Sequence, residues 1–457
     1  MTDRRAERTD TEALEARALA AAVLQRIEHD RAYADVALDA ALRTSRLDGR
    51  DRALATRLVY GTLAWQGRLD WHLAALTRRE PAALDPPLRI ALRLGLYQIL
   101  FLDRIPAHAA VATSVDLAKR LAPAGAGLVN AVLRRAVRER AALPLPDPVA
   151  APVRHLAVAF SHPEWLVARW REHLDDADLR ALLAANNQAA PTVLRARLGG
   201  RDALIARLSA AGVGAEACRF APEAVRVSAA APHALAGYAA GAFSVQSEAS
   251  QLVVLLLDPR PGMRVLDACA APGGKASYIA EIMGDRGLVV ALDQRRRGAH
   301  AVARTARRLR LGAVAAVVAD ARCAPRVLRD GLFDRILVDA PCSGLGTLRA
   351  HPEVRWTRTP ADIVRLAALQ REILEGVTPL LSPGGVLVYA TCTIADEENE
   401  DVVRAWLASH RDLRTEDAAQ HLPAPAVGLV DASGALRTLP HRDGLDGFYA
   451  VCVRRVA

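Results

Sequence analysis

The chain has 457 residues, of which 52% are hydrophobic and 24% are charged. This composition excludes an intrinsically disordered chain, and the length predicts two or three domains. No apolar run reaches the ~20 residues that span a bilayer, and residues 1–10 lack a signal-peptide pattern. We therefore expect a cytoplasmic protein with no membrane association.

The formal net charge is +9, and the isoelectric point lies near 9.7. Excess positive charge favours a polyanionic partner such as nucleic acid, although a basic composition alone would give the same number. Among the 60 basic residues only Lys119 and Lys275 are lysines. Lysine and arginine are not equivalent where a compact ammonium is needed, so the position of Lys275 in a glycine-rich loop is notable.

The six cysteines are too sparse for a disulfide framework in a chain of this length. None belongs to a Cys-x-x-Cys pair, so no metal site is expected. Free cysteines usually behave as small buried hydrophobic residues, and we expect this of Cys218, Cys323 and Cys452. The remaining three, Cys269, Cys342 and Cys392, lie in the motifs described below.

Residues 1–142 are predicted to form an all-α bundle. Apolar residues recur at intervals of four in two stretches: Leu19, Val23 and Ile27, then Leu88, Leu92, Leu96 and Leu100. Such spacing buries one face of each helix. A proline-rich stretch at 143–148 then disfavours helix and predicts a domain boundary. Residues 143–240 mix helical and strand patterns, which predicts a linker and a small α+β connector domain.

Residues 241–457 alternate between strand and helix patterns, which predicts a doubly wound, mostly parallel α/β sheet. The predicted strands cover 264–268, 288–293, 315–320, 335–339, 386–391 and 449–454. The predicted helices cover 274–284, 297–310, 361–381 and 396–409. Ligands of such sheets bind at the carboxyl ends of the strands, so the residues at these ends are the candidate site.

Acidic residues end three successive strands of this sheet. Asp267 precedes a Pro-Gly-Gly turn at 272–274, where glycine and a helix N-terminus would let a ligand approach the backbone. Asp293 occupies the position that binds ribose hydroxyls in nucleotide-binding folds, and Asp320 is placed to meet an adenine amino group. Each Asp alone could equally be a helix N-cap.

Two thiols follow two further strands, in Asp339-Ala-Pro-Cys342 and Tyr389-Ala-Thr-Cys392. Either cysteine alone would be read as a buried hydrophobic residue. Because both lie at carboxyl ends of strands in one sheet, we expect them to meet in one cleft.

These motifs resemble the RsmB/NOP-type RNA (cytosine-5) methyltransferase family. The resemblance rests on segments at 245–251, 267–275, 339–344, 351–356, 391–400 and 446–449. Residues 1–142 resemble a NusB-like RNA-binding domain through segments at 58–62, 94–98, 105–108 and 129–134. The two together are the layout of family members that act on small-subunit (16S) rRNA. The resemblance implies S-adenosyl-L-methionine as cofactor and an S-adenosylmethionine methyltransferase fold.

The resemblance also implies roles for individual residues. Cys392 would attack carbon 6 of cytosine, Cys342 would assist release of the product, and Asp339 would contact N3 or the amino group. Both thiols would need pKa values lowered by a helix N-terminus or a nearby cation, for which Lys275 is the candidate. The cofactor would be bound by Cys269, Ala270, Ala271, Pro272, Gly273, Gly274, Lys275, Asp293, Asp320 and Asp339.

Two other functions stay open at this point. One is a tRNA cytosine-5 methyltransferase, which would keep the chemistry and change the substrate. The other is a catalytically dead NusB-like RNA-binding factor, against which the presence of both Cys342 and Cys392 argues. An exposed arginine stripe at 295–310 would be either a phosphate contact or a solvated helix face, and we favour the latter. A monomer is expected.

Overall fold

The structure is a computed structural model that describes residues 2–197, 199–228 and 231–456, with side chains from residue 14 onward. It divides into two compact units. One comprises Met1–Gln188 and Leu348–Thr357, and the other comprises Ala189–Thr347 and Arg358–Ala457. The predicted domain boundaries after residues 142 and 240 remain predictions. Among the described residues, no helix combines the length and apolar composition of a membrane span.

The first unit is built from helices. In chain order these are α1 (Thr2–Asp30), α2 (Ala34–Thr44), α3 (Gly49–Ala64), α4 (Gln66–Thr77), α5 (Pro86–Phe101), α6 (Ala107–Leu121), α7 (Ala126–Arg138), α8 (Pro152–Ala159), α9 (Glu164–Arg171) and α10 (Asp176–Ala185). The predicted stripes face the core, because Val23 and Ile27 of α1 and Leu92 and Leu96 of α5 are buried. Burial of each such side chain contributes roughly 1.5–3 kcal/mol to the free energy of unfolding. The prediction of an all-α bundle is confirmed.

The second unit opens with a small antiparallel sheet. Its elements are β1 (Thr192–Ala196), α11 (Arg201–Ala210), β2 (Ala215–Ala217), β3 (Ala224–Val227) and β4 (Phe243–Val245). The strands lie in the order β2-β3-β1-β4. Leu194 and Phe243 pack against Leu204 and Leu208 of α11 in a core of their own. This is the small α+β connector that the sequence predicts.

The remainder of the chain forms the large sheet and its covering helices. In chain order they are α12 (Glu248–Leu256), β5 (Arg264–Asp267), α13 (Gly274–Ile282), β6 (Leu288–Asp293), α14 (Arg296–Leu309), β7 (Val314–Val318), β8 (Phe333–Asp339), α15 (Val354–Thr357, in the first unit), α16 (Pro360–Val377), β9 (Leu381–Thr391), α17 (Glu400–Ser409), β10 (Leu413–Glu416), β11 (Leu436–Thr438), α18 (Pro440–Asp443) and β12 (Phe448–Arg455).

The strand order of this sheet is β10-β12-β9-β8-β5-β6-β7, with β11 paired to β12. Strands β5 to β9 pair in parallel, whereas β12 runs antiparallel to β9, β10 and β11. Apolar side chains cover both faces, as in Ile336 and Leu337 of β8, which belong to different core clusters. The predicted doubly wound, mostly parallel sheet is confirmed, and β8, β5 and β6 bring their carboxyl ends to one edge.

Residues Leu348–Thr357 leave the second unit and pack within the first. Arg355 is fully buried, and its guanidinium donates to the carbonyl oxygens of Ser161 at 3.1 Å and Asn186 at 2.9 Å. It also donates to Oδ1 of Asn187 at 2.7 Å. Burial lowers the pKa of Arg355 to about 9. The indole N–H of Trp356 donates to the Leu63 carbonyl oxygen at 2.7 Å. Neutral acceptors thus hold a buried cation in this segment.

Candidate active site

The loop between β5 and α13 depends on a glycine. Gly273 has a φ of +102°, and a Cβ atom added there would lie 3.0 Å from Cα of Val302 on α14. The hydroxyl of Thr305, also on α14, donates to the Pro272 carbonyl oxygen at 3.0 Å. The N–H of Ala270 donates to the Leu292 carbonyl oxygen at 2.8 Å. The loop is therefore fixed against its neighbours, and the missing side chain of Gly273 makes room for α14.

Lys275 and Asp339 form an ion pair across the site. Nζ of Lys275 lies 2.6 Å from Oδ2 of Asp339, and the Lys275 side chain is 12% exposed. Burial by itself would lower the pKa of Lys275, but the Asp339 carboxylate, Asp267 and Cys392 together outweigh burial and raise it. The ammonium also lies 5.7 Å from the centre of the Phe448 ring, within cation–π range. The lysine is therefore charged and held in one position.

Asp267 lies buried beside this pair. Burial is the main reason that its pKa is raised to about 7, and the charge of Asp339 adds to the effect while Lys275 opposes it. Two carboxylates near one ammonium compete for a single positive charge. Asp267 and Asp339 end the neighbouring strands β5 and β8, so the strand order creates this competition.

Asp293 ends β6 and Asp320 follows β7, and each carboxylate accepts a hydrogen bond from the backbone. Oδ1 of Asp293 accepts from the N–H of Arg295 at 2.7 Å. Oδ1 of Asp320 accepts from the N–H of Arg322 at 3.0 Å, and the Arg322 guanidinium pairs with its carboxylate at 2.7 Å. The hydrogen bond from Arg322 lowers the pKa of Asp320. Asp320 therefore acts as the N-cap of the 3-10 turn that follows it, which is the alternative role that the sequence leaves open for each of these acids.

The two motif cysteines meet. The Sγ atoms of Cys342 and Cys392 lie 3.3 Å apart, directly after the paired strands β8 and β9. The hydrogen bond with Cys392 and burial raise the pKa of Cys342 well above its ordinary value. The expectation that both thiols have lowered pKa values is wrong for Cys342, because Lys275 pairs with Asp339 and the neighbouring thiol supplies the dominant interaction. A protonated Cys342 can donate to a Cys392 thiolate.

The Asp-Gly-Phe-Tyr segment at 446–449 packs on the loop that follows Cys342. A Cβ atom on Gly346 would lie 1.9 Å from the Gly447 carbonyl oxygen. The N–H of Gly447 donates to the Gly346 carbonyl oxygen at 2.8 Å. The N–H of Gly346 donates to the Cys392 carbonyl oxygen at 3.0 Å. Two glycines in contact thus bring β12 against both cysteine loops.

The other cysteines differ in their surroundings. Cys218 and Cys452 are buried, as expected, and burial raises the pKa of each to about 12. Cys323 is exposed, so the expectation of a buried residue is wrong there, because it lies in a surface 3-10 turn that begins after Asp320. Cys269 is half-buried, and burial raises its pKa well above the ordinary value.

The arginine stripe on α14 is mostly exposed, including Arg304 and Arg307. Arg308 differs, since its guanidinium donates to the carbonyl oxygens of Tyr238 at 2.8 Å and Phe243 at 3.0 Å. It also lies 4.0 Å from the centre of the Tyr238 ring. At least this member of the stripe is structural.

Sequence reasoning missed the buried polar residues behind the cysteines. The segment at 391–400 that resembles the family includes Glu398 and Asn399 but indicates no role for them, and no motif of the sequence includes Gln370. All three are fully buried. The available signal was an acid and an amide six and seven residues after Cys392. Buried polar side chains are exceptional, but burial itself could not be read from the sequence.

Comparison with known proteins identifies the family. A family model described as 16S rRNA methyltransferase RsmB/F matches residues 254–454, and a NusB family model matches 14–138. A model for the ferredoxin-like domain of RsmF/B-like methyltransferases matches 162–233. The chain is 36% identical to probable ribosomal RNA small subunit methyltransferase B of Bacillus subtilis, covering 96% of this chain and 98% of that protein. The chain belongs to the RsmB/F family of 16S rRNA methyltransferases.

Further relatives agree with this assignment. Ribosomal RNA small subunit methyltransferase B of Pseudomonas putida is 40% identical, covering 90% of this chain and 92% of that protein. The crystal structure of PH0851 has a TM-score of 0.83 and 26% identity, covering 97% of this chain and 99% of that one. NSun6 from Pyrococcus horikoshii with SFG shares the fold, with a TM-score of 0.58 at 21% identity, and covers 65% of this chain and 98% of that one.

These matches confirm the predicted fold class, in which a methyltransferase domain follows a NusB-like bundle and a small connector. They also confirm the expectation of S-adenosylmethionine as methyl donor for this RsmB/F family member. The residues at the sheet edge fit such a group. Gly274 leaves space beside the loop, because a Cβ atom there would lie 4.0 Å from the Gln246 side chain, and Asp293 ends β6 with its carboxylate against Gly298, where a Cβ atom would lie 2.3 Å away.

Proposed function

We propose that this chain methylates carbon 5 of a cytosine in 16S rRNA through a covalent bond between Cys392 and carbon 6 of the base. The observation that carries the proposal is the pair of thiols 3.3 Å apart at the ends of β8 and β9. The match of residues 14–138 to the NusB family and the names of the relatives support small-subunit rRNA over tRNA as the substrate.

Cys392 is the nucleophile in this proposal. Carbon 5 of cytosine is a poor nucleophile, and addition of a thiolate to carbon 6 gives the ring an enamine-like electron pair at carbon 5. Cys342 keeps its proton and donates a hydrogen bond to Cys392, which favours the thiolate on Cys392 before attack. The assignment of the two roles comes from the resemblance of the Thr391-Cys392 and Pro341-Cys342 motifs to the family, and the raised pKa of Cys342 agrees with it.

Asp339 and Lys275 hold the base and balance its charge. The Asp339 carboxylate contacts N3 or the amino group of cytosine, and Lys275 fixes the orientation of that carboxylate. S-adenosylmethionine supplies an electrophilic methyl group, with the loop from Cys269 to Lys275 and Asp293 and Asp320 as its binding residues. After methylation, a water molecule takes the proton from carbon 5, the bond between carbon 6 and Cys392 breaks by β-elimination and returns the Cys392 thiolate, and Cys342 assists this release.

The test uses transcribed 16S rRNA, a tRNA pool and a tritiated methyl donor. Wild type is expected to label one cytosine of the rRNA at carbon 5. Cys392→Ala is expected to be inactive, and Cys342→Ala is expected to accumulate a protein–RNA adduct that resists denaturant. Cys323→Ala, which removes an exposed thiol, is the matched control and should retain activity.

Other outcomes select the other functions. Label in tRNA alone identifies a tRNA methyltransferase. Tight RNA binding without transfer to either RNA identifies a binding factor in which the cysteines are structural. The monomeric state and the cytoplasmic location stay predictions.

A further inference from the structure

Two consecutive residues, Glu398 and Asn399, lie behind the thiol pair with no exposed surface. Glu398 ends a single 3-10 turn, and Asn399 precedes α17. The hydroxyl of Tyr389, three residues before Cys392, donates to the Glu398 carbonyl oxygen at 2.6 Å. The turn is therefore anchored to β9 before its side chains make any contact.

Glu398 binds the loop that carries Cys342. Its Oε1 accepts from the backbone N–H of Ser343 at 2.8 Å and from Nε2 of Gln370 at 3.0 Å. The same Nε2 donates to the Pro341 carbonyl oxygen at 3.0 Å. The two residues that flank Cys342 in the chain are thus held through one carboxylate and one amide.

Asn399 binds the loop that carries Cys392. Its Oδ1 accepts from the hydroxyl of Thr391 at 2.6 Å, and its Nδ2 donates to the Thr393 carbonyl oxygen at 3.2 Å. Both neighbours of Cys392 are held in this way. The hydroxyls of Ser343 and Thr393 lie 2.8 Å apart, which joins the two loops directly.

We propose that Glu398 and Asn399 are positioning residues that hold the Cys342 and Cys392 thiols at contact distance. Glu398 and Asn399 are adjacent in the chain, so the distance between the two loops that their side chains bind is nearly fixed. The proposal rests on the proposed function, because it gives this separation a purpose in catalysis. Neither side chain is assigned a contact with the RNA or with the methyl donor.

The Glu398 carboxylate could act by hydrogen bonding or by proton transfer, and substitutions at this position distinguish the two roles. Burial raises the pKa of Glu398, while the bonds from Ser343 and Gln370 oppose that effect. A glutamine at this position keeps an oxygen that can accept both bonds but cannot take up a proton. Alanine removes the acceptor and leaves the buried N–H of Ser343 without a partner, which is costly.

The experiment compares Glu398→Gln, Glu398→Ala and Asn399→Ala with Glu375→Ala as the control, since Glu375 is half-exposed on α16 beside His410. The first readout is kcat and KM for methyl transfer over a pH series. The second is the rate at which diamide links Cys342 to Cys392, mapped by peptide mass. Diamide takes up two electrons and two protons as the two thiols become a disulfide, so this rate reports their proximity without RNA or methyl donor.

We expect Glu398→Ala and Asn399→Ala to lower kcat about 100-fold with little change in KM, because displacing reacting groups by ~1 Å has effects of that size. We expect the same variants to slow diamide linkage about tenfold. Glu398→Gln should retain kcat within about threefold and keep the wild-type pH profile, since its oxygen accepts the same donors. Glu375→Ala should match wild type in both assays.

The proposal is overturned if both alanine variants link Cys342 to Cys392 at the wild-type rate, or if Glu398→Gln is as inactive as Glu398→Ala. The latter would make Glu398 a proton-transfer group. If Glu398→Ala does not fold, Asn399→Ala and Glu398→Gln decide the matter with the same two readouts. Failure of the proposed function looks different: wild type would transfer no methyl group to rRNA, while the order of the linkage rates would still report positioning.

Discussion

The Lys275 ammonium lies 2.6 Å from the Asp339 carboxylate and so joins α13, which follows the glycine loop, to β8, the strand that precedes Cys342. Strands β5 and β8 are adjacent and parallel, and Asp267 pairs in register with Leu337. The two motifs are 64 residues apart in the chain and meet because these strands are neighbours. The glycine loop before α13 and the thiol loop after β8 therefore share one ion pair.

Replacement of Lys275 tests this link. Lys275→Met leaves Asp339 and Asp267 without their shared cation, so one carboxylate takes up a proton and Asp339 loses its fixed orientation. We expect kcat for methyl transfer to fall about 100-fold. Lys119→Met, which removes the other lysine from an exposed pair with Asp116, is the control. Activity within threefold of wild type in Lys275→Met would contradict the assignment.

Gly298→Ala tests the assignment of Asp293 to the methyl donor. The new Cβ atom would lie 2.3 Å from Oδ1 of Asp293, so the carboxylate must turn away. We expect the Kd for S-adenosylmethionine, measured by calorimetry, to rise about tenfold because one charged hydrogen bond is lost. Gly127→Ala on α7 meets no atom within 4 Å and is the matched control. An unchanged Kd would remove Asp293 from the binding site.

Asp267 predicts a pH dependence of stability. Its folded pKa, about 7, exceeds the ordinary 3.8, so between these values the folded protein keeps a proton that the unfolded chain has released. The stability from this group is complete below pH 3.8 and is lost as the pH rises through about 7. From pH 5 to pH 8 the unfolding free energy of wild type should fall relative to Asp267→Asn by on the order of 2 kcal/mol.

Urea unfolding at several pH values measures this difference. Asp334→Asn at the opposite end of β8 is the control, since that half-buried side chain accepts the Arg264 N–H at 2.8 Å. Parallel pH curves for wild type and Asp267→Asn would show that burial does not hold a proton on Asp267.

A double-mutant cycle tests the buried Arg195–Glu281 pair, which joins the connector sheet to α13 at 3.2 Å. The Arg195 guanidinium also donates to the Gly274 carbonyl oxygen at 2.7 Å, at the end of the glycine loop. Arg195→Met leaves Glu281 buried without its cation, so we expect a loss of about 3 kcal/mol in unfolding free energy. Adding Glu281→Gln should restore part of it.

The exposed pair of Arg226 and Glu216, 54% and 67% exposed, is the matched cycle. Its coupling should stay below about 1 kcal/mol, because solvent screens exposed ion pairs. Equal coupling energies in the two cycles would contradict the importance of burial for Arg195.

Local patterns predicted the central elements of the large sheet closely. Strand β6 was predicted at 288–293 and is observed at Leu288–Asp293, since its apolar run ends at a charged residue and a helix follows. The short strands β10 and β11 were missed. Their sequences alternate weakly, and they exist because β12 supplies their hydrogen bonds.

The candidate site was predicted unevenly for a related reason. Motif residues at strand ends could be recognised because a parallel sheet gathers its carboxyl ends. The raised pKa of Cys342 could not be predicted, because it depends on a second thiol 50 residues away in the chain. The packing of Arg355 in the first unit was equally invisible, since its acceptors are backbone carbonyl oxygens distant in the chain.

The sequence by itself indicated the alternation of strands β5 to β9 with their helices, the motif residues near the ends of those strands, and the resemblance to the family. These properties depend on local periodicity and on motifs whose spacing within one loop is fixed by the chain. Only the tertiary structure decided that Cys342 and Cys392 touch, that Lys275 pairs with Asp339, and that Glu398 and Asn399 lie buried behind them. Those distances depend on which strands are neighbours and on which side chains are buried away from water. Both are set by the packing of the whole unit.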